Sequence, residues 1–345
     1  MFASILQDYL IFLAKAVTVV VAIGAVVVFV ASAVRQLGML RGQDRLDVNN
    51  LNDRFRDLAD AVRETVLPDS ERKKLAKKRR AEEKARQKGE PDQPRKPHVF
   101  VLDFDGDLHA HAVVALREEI STVLQIAEAG DEVLLRLESE GGLVHAYGLA
   151  ASQLARLRAR NIPLTVAVDK VAASGGYLMA CVANRIIGAP FAILGSIGVI
   201  GQLPNFNRLL KRMDIDYEMH TAGEFKRTLT MFGENSDAAR GKFREELEDT
   251  HGLFKAFVAE HRPQLDLDKV ATGEHWFGSR ALELQLIDAV QTSDDYLLEK
   301  ADTADLLELK FHRRKPLSER LSDSFARFSR GVRRGLQDNV STRWR

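Results

Sequence analysis

Three short segments hold the residue types that acyl-transfer chemistry uses. The first is Ala172-Ala173-Ser174-Gly175-Gly176-Tyr177. Small residues on both sides of Ser174 let the backbone turn sharply and let a substrate come close. The run Pro163 to Val168 before it reads as a strand, and Tyr177 to Val182 after it reads as a helix. A serine at such a turn lies near exposed N–H groups that favour developing negative charge. The same position also suits a plain helix N-cap. The second segment is Glu138-Ser139-Glu140-Gly141-Gly142, again between a strand and a helix. A glycine pair there can aim backbone N–H groups into a cleft, where one oxyanion donor lowers a barrier by roughly 3 kcal/mol. A tight turn without chemistry uses the same residues. The third segment runs from Thr221 to Thr228 and contains Lys226. A serine needs a neighbouring base, and an uncharged lysine can be one once burial or nearby positive charge lowers its pKa. An ordinary surface lysine beside Arg227 is the alternative.

Other chemistries find little footing. No histidine pairs recognisably with the Ser174 segment, and no G-x-S-x-G elbow is present. Neither a Gly-rich phosphate loop nor metal-ligand spacing occurs, so no metal and no cofactor are expected. Cys181 is the single cysteine, which excludes an intrachain disulfide and a cysteine-based zinc site. The net charge of +1 points to no nucleic-acid partner.

The elements that must position these residues alternate between strands and helices. Strands are expected at 99–102, 132–137, 163–168, 185–188 and 192–194, with a further strand-like run at Tyr217 to His220. Helices are expected at 146–160, where Leu149, Ala150, Leu154 and Leu157 share a face, and from Ser236 to Arg262 with Ser236 or Asp237 as N-cap. This alternation argues for an α/β fold with a parallel sheet covered by helices.

Flanking segments differ in kind. Residues 16–34 form a nineteen-residue stretch without charge, and Lys15 lies close enough to its end to snorkel. A membrane anchor is expected over residues 1–40, with its helix at about 10–34. Residues 41–97 read as a charged helical spacer, with Leu51, Phe55, Leu58 and Val62 at helical spacing. Its part from 71 to 97 carries twelve Lys/Arg against five Asp/Glu and ends in Pro91, Pro94 and Pro97. The folded domain is expected at 98–300 and a basic amphipathic tail at 301–345. Pro316 to Gln337 places Leu317, Leu321, Phe325, Phe328, Val332 and Leu336 on one face, which suits a membrane surface, a neighbouring subunit or the chain's own domain.

Taken in order, five segments resemble the SppA/SohB signal-peptide-peptidase-like family. They are Leu137–Gly142, Asp169–Tyr177, Gly195-Ser196-Ile197-Gly198-Val199, Lys226-Arg227-Thr228-Leu229-Thr230, and Ala271-Thr272-Gly273-Glu274-His275-Trp276. The resemblance implies a ClpP/crotonase-like fold and hydrolysis of peptide bonds by a Ser–Lys dyad. It maps the nucleophile to Ser174, the base to Lys226, and oxyanion donors to Gly175 and the Gly141-Gly142 turn. It implies a peptide or protein substrate and a homo-oligomeric ring whose dyad can be completed between neighbours. Two departures stand out. Glu140 replaces the proline of the family's Ser-Pro-Gly-Gly, which removes a fixed φ. Gln285 replaces a glycine that the family places before Leu286-Ile287-Asp288. Crotonase relatives with acyl-CoA chemistry, and a membrane scaffold without activity, are the competing classes.

Sidedness rests on two opposed expectations. Arg35, Arg41, Arg45 and Arg54 follow the apolar stretch while no Lys or Arg precedes Lys15, which puts the catalytic domain in the cytoplasm of a bacterial inner membrane. The resemblance implies the periplasm.

Overall fold

The computed structural model describes residues 95–313, nearly all of 44–77 and part of 11–24. Residues Leu46–Phe311 form one compact unit. Its sheet runs β1 (Arg45–Asn50), β10 (Asp305–His312), β2 (His98–Gly106), β3 (Glu132–Ser139), β4 (Leu164–Val168), β6 (Arg185–Gly188), β9 (Ala289–Val290). β5 (Val171–Ala173) branches from the end of β3 and leads to β7 (Ile193–Gly195), which pairs antiparallel with β8 (His275–Phe277). The pairs β10–β2, β2–β3, β3–β4, β4–β6 and β6–β9 are all parallel.

The parallel core follows from continuous apolar runs that bury both faces of a strand. On β2, Phe100, Leu102 and Phe104 point to one cluster, while Val99 and Val101 point to the other. The first cluster is closed by α2 (Val113–Ile126), α3 (Val144–Ala159) and the short α4 (Gly175–Ala180) through Leu116, Ile120, Leu154, Leu157 and Met179. The second is closed by Leu51 of α1 (Leu51–Val66) and by Tyr296 and Leu297 of α9 (Ser293–Ala301). Between α4 and α9 the chain also forms α5 (Asn207–Arg212), α6 (Asp237–His261), α7 (Leu267–Val270) and α8 (Gly278–Glu283).

Both expected borders of the domain move outward. Residues 45–66, expected within the spacer, supply β1 and α1. There the buried Asn52 amide donates to the carbonyls of Ala301 and Ala304, and its oxygen accepts the Leu306 N–H at 2.7 Å. At the other end β10 lies beyond the expected border at 300 and pairs with β2 from Asp305↔His98 onward. The strand-like run Tyr217 to His220 is a correction too. It forms no strand and is exposed throughout, because no neighbouring strand meets its backbone groups. Ser236 caps α6 by accepting the Ala239 N–H, as the spacing predicts. Among the described residues no helix is long and apolar enough to cross a membrane. The expected anchor helix lies largely outside the described residues, as do most of 71–94 and the amphipathic tail at 316–337.

Candidate active site

The end of β5 delivers Ser174 to the N-cap of α4. Its backbone stands at φ 51°, ψ −117°, a left-handed conformation that L residues adopt only when the surroundings enforce it. The enforcement is visible. The Ser174 N–H donates to the Gly195 carbonyl at 2.8 Å, and the Ser174 carbonyl accepts the Leu178 N–H at 2.9 Å. All six residues of α4 are buried. Tyr177 of α4 donates from its hydroxyl to the Leu286 carbonyl at 2.9 Å, and burial holds that phenol far above its ordinary pKa. The Ser174 side chain makes no capping hydrogen bond, so it does not act as an ordinary N-cap. The residue is half-buried.

The glycine turn after β3 closes on this serine. Gly141 has φ +92°, and a Cβ built there would stand 2.7 Å from the Gly175 nitrogen and 2.8 Å from Ser174 Cβ. The turn therefore needs glycine for its conformation and for its contact with the Ser174 segment. The three expected oxyanion glycines are not equivalent. The Gly141 N–H donates to Ser139 Oγ at 3.0 Å and is already used. The Gly142 N–H donates to no atom among the described residues. Gly175 is the first residue of α4, so its N–H has no intrahelical acceptor. The turn is held from its far side by the Leu143 N–H, which donates to the Leu108 carbonyl at 2.9 Å. Glu140 is exposed at the tip, while Glu138 pairs with Lys170 at 2.8 Å.

Lys226 belongs to a different environment. It lies on the arm from Gly201 to Asn235, between β7 and α6, and every residue from 211 to 227 is exposed. Its N–H closes a turn onto the Gly223 carbonyl. The side chain lines an open cavity of about 370 Å³ with Gly201, Leu203, Phe225, Phe243 and Glu246, and Ser174 does not line it. Ser174, Gly141 and Gly175 come together, Gly142 follows in the same turn, and Lys226 lies on the exposed arm. The residues that brace the turn, Ser139 and Tyr147, carry no sequence pattern that marks them as a pair.

A clamp ties α6 to the floor of α4. Arg262, buried at the C-cap of α6, donates to both carboxylate oxygens of Asp288 and to the Gln285 carbonyl. Asp288 also accepts the Ile186 N–H at 2.6 Å. The loop 285–288 thus holds Arg262 on one side and, through Leu286, Tyr177 on the other. Gln285 has φ 60°, which is why glycine suits this position.

Comparison with known proteins identifies the family. The description "Peptidase family S49 N-terminal" matches residues 4–154, and "Peptidase family S49" matches residues 156–307. A Haemophilus influenzae protein named "Probable protease SohB" is 49% identical over 92% of this chain and 92% of its own. A protein of the same name from Buchnera aphidicola (subspecies Acyrthosiphon pisum) is 59% identical over 66% of this chain and 68% of its own. Among solved structures, a serine-to-alanine mutant of the 1510-N membrane-bound stomatin-specific protease aligns with a TM-score of 0.39 and 16% identity, over 60% of this chain and 86% of that one. The chain belongs to peptidase family S49, a family of proteases, and is similar to the SohB proteins within it.

Proposed function

We propose that the chain is a membrane-anchored serine endopeptidase in which Ser174 is the nucleophile and Lys226 the general base. The observation that carries this reading is the Ser174 turn. A buried frame holds the serine in a left-handed conformation, leaves its hydroxyl free of any cap bond, and presses Gly141 against it. Ser174 Oγ attacks the scissile carbonyl of a peptide while a neutral Lys226 amine takes its proton. The negative charge that forms on the carbonyl oxygen is received by the N–H groups of Gly175 and Gly142. Protonated Lys226 returns the proton to the leaving amine. Water then hydrolyses the acyl-enzyme with the lysine again as base.

The arm that carries Lys226 is exposed, which suits docking against a neighbouring copy. The arm carries Met213, Ile215, Tyr217, Met219 and Phe225 as exposed apolar side chains. Apolar surface of this extent suits burial against protein. Our reading is a homo-oligomeric ring in which the arm of one copy brings Lys226 to Ser174 of its neighbour. A ClpP/crotonase-like class is in keeping with the parallel sheet and its nucleophile at a strand-to-helix turn. The apolar stretch 16–34 would anchor the ring, with the flanking arginines favouring a cytoplasmic catalytic domain.

A fluorophosphonate probe tests the nucleophile. It should label the wild-type chain at Ser174, label nothing in Ser174→Ala, and block peptide cleavage in step with labelling. Cleavage that persists in Ser174→Ala would exclude this assignment.

A further inference from the structure

We infer that Ser139 and Tyr147 are positioning residues that set the oxyanion turn through a hydrogen-bond chain of fixed direction. The inference rests on the peptidase reading above and concerns residues that do not touch the reacting atoms. Both side chains are buried, Tyr147 completely. The Tyr147 hydroxyl donates to the Asp107 carbonyl at 2.8 Å. A carbonyl can only accept, so the single phenol proton is committed there. Ser139 Oγ lies 2.6 Å from the Tyr147 oxygen and must therefore be the donor between them. That leaves the Ser139 oxygen to accept the Gly141 N–H at 3.0 Å. Each bond fixes the direction of the next, from the Asp107 carbonyl to the backbone of Gly141.

The consequence falls on the peptide groups of the turn. With its N–H held toward Ser139, Gly141 is kept at φ +92° against Ser174. The next N–H, that of Gly142, is then the one left to meet a substrate oxygen. The surrounding backbone is shaped to admit the pair. A Cβ on Gly176 would stand 2.5 Å from the Ser139 carbonyl oxygen, one on Gly106 would stand 2.5 Å from the Tyr147 hydroxyl, and one on Gly175 would enter the Tyr147 ring. Tyr147 thus packs against the first residue of the nucleophile helix while its hydroxyl orders the opposite wall. Burial also raises the pKa of the phenol, so it remains a donor through the neutral range.

The test uses the full-length protein in detergent and a peptide substrate. Tyr147→Phe keeps the ring and removes the hydroxyl. We expect kcat to fall about 10- to 100-fold with KM within about twofold, since a misaligned donor weakens the transition state and not substrate binding. Affinity for a peptide aldehyde, which forms a tetrahedral adduct on Ser174, should fall by the same factor. Binding of the uncleaved peptide in a Ser174→Ala background should not change. Ser139→Ala should act alike, and the double variant should be no worse than Ser139→Ala alone, because both cut one chain. Wild-type kcat in Tyr147→Phe, or a rise in KM at constant kcat, overturns the inference. If Tyr147→Phe fails to fold, Ser139→Ala decides by the same kcat, KM and aldehyde readouts. A wild-type protein that neither cleaves peptides nor takes up the fluorophosphonate defeats the peptidase reading and this inference with it. An active, labelled wild type beside an indifferent Tyr147→Phe defeats this inference alone.

Discussion

The frame that holds Ser174 and the arm that carries Lys226 are built by opposite rules. Around Ser174, residues 172, 173 and 175–183 are all buried, and each backbone turn is fixed by named hydrogen bonds. Along the arm, residues 211–227 are all exposed, and beyond α5 regular structure is absent until α6 begins at Asp237. A nucleophile must meet a carbonyl with sub-ångström accuracy, and dense packing gives that accuracy. The contrast places precision in the frame and leaves the arm open to solvent.

The strongest way to break the comparison is on the arm. Lys226→Ala should lower turnover by at least ~10³-fold, the scale of a lost general base, yet leave the unfolding midpoint unchanged because the side chain is exposed. Combining it with Ser174→Ala should add nothing, since the two act as one unit. A purified Lys226→Ala protein with near-wild-type kcat, measured by peptide cleavage, would return Lys226 to the ordinary surface.

A frame substitution should differ by costing both activity and stability. Gly141→Ala puts a methyl 2.7–2.8 Å from the Gly175 nitrogen, the Ala173 oxygen and Ser174 Cβ, at a φ that alanine avoids. We expect kcat to fall by about 10²-fold or more and unfolding to become easier by about 1–3 kcal/mol. Urea titration with parallel kinetics checks both. Loss of activity without loss of stability would show that the turn is less tightly packed than the frame around it.

The smallest effect on activity, and a sharp one on stability, belongs to Glu119 of α2. Burial pushes its carboxyl up to about 7, despite the bond from the Phe311 N–H to Oε1. Its second oxygen has no hydrogen-bond partner among the described residues. The folded protein therefore holds a proton that the unfolded chain releases near pH 4.5. The stability from that proton is full below about 4.5 and is lost as pH rises through about 7. Unfolding measured at pH 5 and pH 8 should show Glu119→Gln gaining on the wild type by up to about 3 kcal/mol at the higher pH, with kcat unchanged. Parallel pH profiles for the two proteins would contradict the assignment.

Much of the frame was legible because buried parallel strands announce themselves. Val133-Leu134-Leu135 and Leu164 to Val168 are short, largely apolar runs, the pattern of strands buried on both faces in a parallel sheet. β10 escaped notice because Glu308 and Lys310 interrupt its apolar run, and their charges are answered by each other and, across the sheet, by Arg136 and Asp103. Tyr217 to His220 misled for the converse reason. Alternating side chains suit a strand, but pairing is a property of a neighbour that local sequence does not contain. At the site, the glycine pair of the turn was visible, while the commitment of the Gly141 N–H was not. That commitment depends on Tyr147, eight residues from Ser139, and on Asp107, forty residues from Tyr147. Chains of bonds that skip along the sequence leave no spacing to read.

The clamp at 285–288 has a mechanical consequence. Arg262 and Tyr177 grip the same short loop from opposite sides, one at the end of the helix that follows the arm and one in the helix that follows the nucleophile. A load applied to α6 therefore reaches the seat of Ser174 through three bonds at Arg262 rather than dissipating in a loose joint. The loop 285–288 is thus a shared footing for the helix that follows the arm and the helix that follows Ser174.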